Sequence, residues 1–368
     1  MIMCDAKGKI QTVLGCIAPG DAGVVLAHEH LSACTEALMV KEAPVQFPEL
    51  CRKPVTADMR WWLLQHPYSN FDNTHLYEEM DAVVEEMKFF KANGGGTVVD
   101  NTTLGIQRDV NAQVRIAKES GVHVVAGAGY YVDSSRPDTT SMTVEEMADV
   151  MTKEITVGCS GSDIKAGVIG ELGCSWPLAE SERRCLIAAA HVENATGCPV
   201  IMHPGRNCRA PFEMVRVYQE AGGRPERLVM SHMDRTIIET SELLEFAAMG
   251  CYIEYDLFGL ETSFYQLLPE IDMPGDGERI HRIKTLVEAG FEDRITVAHD
   301  IHTKHRLMKY GGHGFSHLLL SVVPRMLTRG ISQNVVYKLL KHNPQSGSHL
   351  PRLNCTLICF LVVGREWA

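Results

Sequence analysis

Short apolar runs alternate along the chain with longer amphipathic segments, and this alternation restricts the fold more than any other feature. The runs are rich in Val and Ile, as strands covered on both faces are. They occupy residues 24–28, 97–100, 123–126, 167–171, 200–203, 228–232, 252–256 and 295–300. Eight strands separated by helices predict an α/β fold of the (β/α)8 TIM barrel type.

The amphipathic segments predict helices between these strands. They lie at residues 76–93, 143–156, 181–195 and 332–342. Thr143 and Glu146 have the spacing of a capping box, whereas Asn73 and Thr74 are candidate caps for the first helix and Gly94-Gly95-Gly96 its stop signal. An open doubly wound sheet is the alternative, although no G-x-G-x-x-G follows the first run.

Two regions depart from the alternation. Residues 41–73 contain four prolines and the pair Trp61-Trp62, and we expect a long excursion that covers the active face of the barrel. Residues 345–350 are polar and rich in Gly and Ser, and a short apolar run follows at 357–363. We therefore predict one barrel domain at 1–344 and an atypical C-terminal extension at 345–368.

Charge and cysteine spacing exclude several classes of protein. The 368-residue chain has a formal charge of −11, which argues against nucleic acid or an anionic membrane as a partner. Its twelve cysteines include no C-x-x-C pair, so we expect reduced thiols and a cytosolic location. The N-terminal residues 1–10 lack the apolar core of a signal peptide, and no apolar stretch has the ~18–20 residues of a membrane helix.

Metal-type side chains close five of the apolar runs. They are His28, His30, Glu171, His203, His232 and Asp300. The strand ends of a parallel barrel meet on one face, so we expect these side chains to converge and to hold two divalent metal ions. The alternative, that each is a satisfied core residue, explains single histidines well. It explains four imidazoles and two carboxylates poorly, because buried carboxylates need nearby cations.

The His28-x-His30 pair suits a shared metal, because side chains two residues apart on a strand point to the same side. Glu29 should then point away, into the barrel wall. His299 should likewise face the side opposite to Asp300, and we interpret it as structural.

The motifs together resemble the phosphotriesterase family of the amidohydrolase superfamily. The matching stretches begin at Val25, Val168, Val200, Val229 and Thr296, and the resemblance covers roughly residues 8–344. It implies a binuclear site, usually of zinc. By this match His28, His30 and Asp300 hold the buried metal, and His203 and His232 the more exposed one. Glu171 stands where bacterial phosphotriesterases have a carboxylated lysine, so we expect it to bridge the metals.

Such a site predicts hydrolysis by a metal-bridging hydroxide, with Asp300 as the catalytic residue that moves the proton to the leaving group. Cations and aromatic residues in the following loops are candidates for substrate binding. They are Arg206, Arg209, Arg235, His302, Lys304 and Tyr130, with Tyr131, Phe258 and His305 as further candidates. Cations in an acidic chain favour an anionic small-molecule substrate, although solvated loops would account for them equally well.

The resemblance implies the substrate class more narrowly. It implies an amidohydrolase that cleaves small anionic N-acyl amides such as N-acetyltaurine, giving taurine and acetate. A lactonase or a phosphotriesterase is the alternative on the same scaffold, and the glutamate at the bridging position makes phosphotriesters less favoured. A catalytically silent small-molecule-binding protein is the alternative from another class. A homodimer is left open as the state of assembly.

Overall fold

Eight parallel strands form one sheet whose spatial order follows the chain. The computed structural model describes residues 8–40, 42, 44–136 and 139–345. A hairpin of β1 (Ile10–Thr12) and β2 (Gly15–Ile17) comes first. The sheet then contains β3 (Val24–Glu29), β4 (Gly95–Asp100), β5 (His123–Ala128), β6 (Val168–Gly173), β7 (Val200–His203), β8 (Leu228–Met230), β9 (Tyr252–Tyr255) and β10 (Ile295–Val297).

The two ends of this sheet meet and close the barrel. The backbone N–H of Asp300, just after β10, donates to the carbonyl oxygen of His28 in β3 at 3.1 Å. Closure removes the free edges that an open sheet would expose. The (β/α)8 barrel predicted from the sequence is confirmed, and the open doubly wound sheet is not found.

Helices follow most of the strands and surround the barrel. They are α1 (Arg60–Leu63), α2 (Met80–Ala92), α3 (Val110–Ser120), α4 (Val144–Thr156), α5 (Glu180–Thr196), α6 (Ala210–Glu220), α7 (Met233–Thr236), α8 (Thr240–Ala247), α9 (Asp276–Glu288), α10 (Val323–Thr328) and α11 (Gln333–Tyr337). Single π-helical stretches occur at Leu318–Val322 and Lys338–His342, and short 3₁₀ turns, among them Pro48–Arg52 and Leu76–Glu79, join other elements. None of the helices in the described part of the chain has the length and apolarity needed to cross a bilayer.

The capping box predicted for α4 is confirmed, whereas the cap predicted for the first helix is wrong. Thr143 and Glu146 form the predicted capping box at α4, with each side chain accepting from the other residue's backbone N–H at 3.2 and 2.8 Å. Asn73 does not cap a helix. Its side-chain amide donates to the carbonyl oxygen of Pro67 at 2.8 Å, and the segment begins with the 3₁₀ turn Leu76–Glu79 before α2 starts.

The apolar interior has two layers. Alternate strand residues, among them Val25, Val99 and Val125, form a small cluster that also includes Ile10 of the hairpin. The other strand residues belong to a much larger cluster shared with the helices. Because the small cluster lies at the start of the strands, it fills the lower barrel and leaves the carboxyl-terminal end for polar side chains.

The long excursion predicted at 41–73 covers this carboxyl-terminal end, with Leu64, Pro67 and Tyr68 among the residues that line the cavity there. The predicted C-terminal extension at 345–368 lies outside the described residues except for Gln345. The side-chain amide of Gln345 donates to the carbonyl oxygen of Gly23 at 3.0 Å.

Candidate metal centre and substrate cavity

Glu171 lies at the centre of a group of four histidines at the carboxyl-terminal end of the barrel. Its Oε2 is 3.1 Å from Nδ1 of His203, 3.2 Å from Nε2 of His232 and 3.5 Å from Nε2 of His28. Its Oε1 is 3.3 Å from Nε2 of His30. The two oxygens of one buried carboxylate therefore face different sets of imidazoles, which is the arrangement a bridging ligand needs.

Asp300 is the sixth member of this group and lies near three of the histidines. Its Oδ1 is 3.1 Å from Nε2 of His30 and 3.9 Å from Nε2 of His28. Its Oδ2 is 3.9 Å from Nδ1 of His232. The structure thus brings together all six side chains that the sequence singled out.

The donor set fits divalent metal ions. Donor atoms of His28, His30 and Asp300 all lie within 4.8 Å of one another, and so do those of His28, Glu171 and His232. The Nε2 atom of His28 is fully buried and has no hydrogen-bond partner among the residues that the structure describes. An orphaned imidazole nitrogen beside two carboxylates costs free energy unless a cation takes its lone pair, so these residues suit zinc or a similar ion.

Buried acidic residues orient two of the imidazoles from behind. Nδ1 of His28 is 2.9 Å from Oε2 of Glu254 and 3.1 Å from the hydroxyl of Ser231. Nδ1 of His232 is 2.9 Å from Oδ1 of Asp256. Carboxylate contacts of this kind fix the tautomer and rotation of metal-binding histidines. Sequence reasoning missed Glu254 and Asp256, although two acids in an apolar strand were a usable signal.

Glu29 and His299, which neighbour the metal-type side chains in the sequence, face the other side of the barrel wall, as alternation predicted. The carboxylate of Glu29 accepts from the backbone N–H groups of His299 and Ile301 at 2.9 and 3.0 Å. It is also 2.7 Å from Nδ1 of His299. His30 itself faces the centre and is held by the hydroxyl of Thr102, 3.0 Å from its Nδ1.

Burial and close charges shift the pKa values at the centre in opposite directions. Burial lowers the pKa of His30, but its contacts with Asp300 and Glu171 outweigh burial and raise that pKa to about 9. Burial favours the neutral form of Glu171, but the charges of His28 and His203 hold its pKa well below the usual value. The raised pKa favours the protonated form of His30, and a cation that binds there would displace that proton.

Two of the metal-type side chains belong to residues at sharp turns in the chain. His232 and Asp300 have φ values of 56° and 54°, in the left-handed region that non-glycine residues rarely adopt. The strands predicted at 228–232 and 295–300 consequently end earlier, at Met230 and Val297. Such backbone strain is concentrated at functional sites, where it aims a side chain that a regular strand would direct elsewhere.

A cavity with roughly 830 Å³ of empty space, part of it open to solvent, is lined by five of the six side chains, all except His28. Arg206 and Arg235 line it together with apolar residues from the loops after β3 and β9. Arg206 donates from Nε to the hydroxyl of Tyr265 at 2.6 Å. Arg235 donates to the carbonyl oxygen of Pro204 at 3.1 Å. Neither arginine has a carboxylate within 4.0 Å among the described residues.

Some predicted substrate-binding residues lie away from this cavity. The exposed Arg209 side chain is 3.9 Å from Glu245 and lies over the ring of Phe212. Lys304 is directed to Asp72 and Glu78, at 2.7 and 2.6 Å. Both cations are paired with carboxylates outside the cavity.

Only one of the three aromatic residues predicted to bind substrate lines the cavity. Tyr131 lines the cavity, with its hydroxyl 3.4 Å from Nδ1 of His203, whereas Tyr130 turns to the sulfur of Met142. Phe258 is buried and does not line the cavity.

The loop after β10 contributes more to the cavity than the sequence suggested. His302 lines it as predicted, with Nδ1 3.2 Å from Oδ1 of Asp300 and Nε2 3.0 Å from the hydroxyl of Tyr68. His305 and Arg306 line it as well. Sequence reasoning missed Arg306, Tyr68 and Tyr265, because loop residues carry no periodic signal of their orientation.

Known proteins are similar to this chain in sequence and in fold. The sequence model of the phosphotriesterase family matches residues 8–347. N-acetyltaurine hydrolases of Homo sapiens and Danio rerio are each 52% identical over 344 residues, which cover 93% of this chain and 98% of the relative. A solved structure of a resiniferatoxin-binding protein from Rhodobacter sphaeroides superposes with a TM-score of 0.87 at 32% identity, over 92% of this chain and 94% of the other. The phosphotriesterase homology protein of Escherichia coli, complexed with phosphate in its active site, superposes with a TM-score of 0.72 at 25% identity, over 88% and 98%.

Proposed function

This chain belongs to the phosphotriesterase family, and on that basis we propose that it hydrolyses N-acetyltaurine and related small anionic N-acyl amides. The resemblance recognised in the motifs is confirmed, and the chain is a metal-dependent hydrolase. One observation supports the anionic substrate above all. Arg206 and Arg235 face the cavity beside the metal-type side chains and have no carboxylate partner there. Guanidinium groups that have no carboxylate partner are suited to bind a sulfonate or carboxylate of the substrate.

The proposed cofactor is a pair of divalent metal ions, most simply zinc. His28, His30 and Asp300 would hold one ion, His203 and His232 the other, and Glu171 would lie between them. When bound, these ions supply Lewis acidity, which activates water and polarises the amide carbonyl. The all-nitrogen-and-oxygen donor set supports this assignment, because zinc accepts such ligands readily.

The residues of the chain perform the remaining steps. Arg206 and Arg235 bind the anionic end and so orient the scissile amide toward Glu171 and Asp300. The Asp300 carboxylate accepts a proton from the attacking water as the new C–O bond forms. It returns that proton to the amide nitrogen as the C–N bond breaks, since an amine leaves only when protonated. Water and N-acetyltaurine are thereby converted to acetate and taurine.

A hydrolysis screen tests this proposal. Zinc-loaded protein is compared on N-acetyltaurine, a neutral lactone and a neutral phosphotriester, with kcat/KM as the measurement. The amide is expected to be the best substrate, because only an anionic substrate pairs with both arginines. A higher kcat/KM for the lactone or the phosphotriester would favour the lactonase or phosphotriesterase alternative instead.

The proposed location is the cytosol. The nine cysteines of the described residues are all free thiols, which suits a reducing compartment. The proposed partner is the small-molecule substrate. A homodimer stays an open alternative to the monomer.

A further inference from the structure

A second group of metal-type side chains lies outside the catalytic centre. Donor atoms of Cys34, Glu36 and His75 all lie within 4.8 Å of one another. The three come from the start and the end of the excursion after β3, and the carboxylate of Glu36 is 2.5 Å from Nε2 of His75. The mechanism above uses none of them.

The backbone holds this group in place. Cys34 and His75 face each other across an antiparallel bridge, and the backbone N–H of Thr35 donates to the carbonyl oxygen of Thr74 at 3.0 Å. The backbone N–H of Cys34 is fixed in turn by the carbonyl oxygen of Ile106 at 3.1 Å. These backbone hydrogen bonds hold the two chain segments that carry the thiol and the imidazole next to each other.

The side chains of His75 and Glu36 differ in their exposure to solvent. The His75 side chain is 5% exposed, whereas that of Glu36 is 49% exposed. Zinc bonds of about 2.0–2.3 Å place tetrahedral ligand atoms roughly 3.3–3.8 Å apart. The 2.5 Å between the Glu36 carboxylate and Nε2 of His75 is shorter than that spacing, so the half-exposed Glu36 side chain would move away from His75 when an ion binds.

We propose that Cys34, Glu36 and His75 form a further divalent-cation site, separate from the catalytic centre, that binds a thiophilic ion such as Zn²⁺. A thiolate, an imidazole and a carboxylate together are a zinc-type ligand set. Burial and the neighbouring Glu36 carboxylate raise the pKa of the Cys34 thiol, so a cation that binds there would have to displace the thiol proton.

The site lies beside the substrate cavity. Thr35, between two of the ligands, lines the cavity, and its hydroxyl is 3.5 Å from the carbonyl oxygen of His302. Leu38, two residues after Glu36, lines the same cavity. A cation bound to this group would fix a segment of the cavity wall.

Cadmium titration of the full chain tests the site, with the thiols reduced and two equivalents of zinc supplied for the proposed catalytic centre. Thiolate-to-cadmium charge transfer absorbs in the ultraviolet, and the proposed catalytic centre contains no thiol, so the band reports on cysteine sites alone. One equivalent of Cd²⁺ is expected to produce the band in the parent protein. Cys34→Ser should abolish it.

Cys208→Ser is the matched control. Cys208 is a partly exposed thiol whose sulfur is 3.8 Å from the carboxylate of Glu242, so it repeats the thiol–carboxylate pair, and this variant should keep the band. A parent protein without the band, or a Cys34→Ser variant with an undiminished one, would overturn the proposal.

Glu36→Gln keeps the test decisive if Cys34→Ser fails to fold. The change is at a half-exposed side chain, and it should weaken cadmium binding about tenfold or more. An unchanged affinity would show that Glu36 is not a ligand and would reject the site. None of these readouts depends on turnover, so a failure of the proposed amide hydrolysis would be recognised separately.

Discussion

Arg206 and Arg235 distinguish this cavity at the scale of single residues. Buried or half-buried cations ordinarily have a carboxylate partner, as Arg279 has in Asp234 at 2.9 Å. Arg206 and Arg235 instead use neutral partners, a tyrosine hydroxyl and a backbone carbonyl. Their charge is left for a ligand, and this is the basis for assigning them to substrate binding.

Arg206→Ala should raise KM for N-acetyltaurine by about 10- to 100-fold, the loss expected for a charge-assisted hydrogen bond. The effect on a neutral ester should be much smaller. Arg209→Ala is the matched control, because Arg209 is three residues away and outside the cavity. Steady-state kinetics on both substrates measure the difference, and equal losses on the amide and the ester would reject the anion pocket.

Asp300→Asn should leave the fold intact and lower kcat by about 10²- to 10⁴-fold, because an amide side chain cannot accept the proton. Metal content, measured on the same sample, separates this effect from loss of a ligand. A variant that keeps its metal and turns over at a near-normal rate would contradict the proton-transfer role.

Among the secondary-structure elements, the strands were the most predictable. All eight lie within a few residues of their apolar runs, since apolar β-branched residues favour buried strands. The six metal-type side chains could be predicted to meet because barrel geometry alone brings strand ends together. The sharp turns at His232 and Asp300 could not be predicted, since they depend on tertiary contacts and not on local propensity.

Loops were less predictable, for a physical reason. Tyr130 and Lys304 lie in the loops after β5 and β10, and their side chains point to Met142 and Asp72. A loop side chain is oriented by the nearest partner in space, and sequence periodicity does not reveal that partner. The residues of the metal-type group could therefore be predicted from the sequence, whereas many of the residues that line the cavity could be identified only from the structure.

The capping box of α4 gives a test at this scale. Thr143→Ala should lower the free energy of unfolding by about 1 kcal/mol, because the N–H of Glu146 loses its acceptor. Ser141→Ala, at an exposed residue just before the helix, is the control and should change it little. Denaturant unfolding measures both variants, and equal stabilities would argue against a contribution of the cap.

At the scale of the whole molecule, the metal-type group joins strands from around the entire barrel. His28, Glu171 and His203 lie in β3, β6 and β7. His30, His232 and Asp300 lie just beyond the ends of β3, β8 and β10. Ions bound there would connect segments that are distant in the chain. Metal binding to the native state alone should therefore stabilise the whole barrel.

Removal of metal by a chelator should lower the melting temperature by about 4 °C or more, and added zinc should restore it. Glu171→Ala should carry less metal and respond less to the chelator, because the proposed bridge is gone. Thermal unfolding and metal analysis measure these outcomes. An unchanged melting temperature after verified metal removal would contradict a stabilising role.

The hydrogen bond from Asp300 to His28 links the last strand of the barrel to the first. During synthesis His28 emerges from the ribosome early and Asp300 late, with most of the chain between them. The barrel cannot close, and the metal-type group cannot be complete, until the region around residue 300 has been translated. A nascent chain that stalls before that point would carry five of the six metal-type side chains but not the complete group, so closure of the barrel and completion of the group occur in the same step.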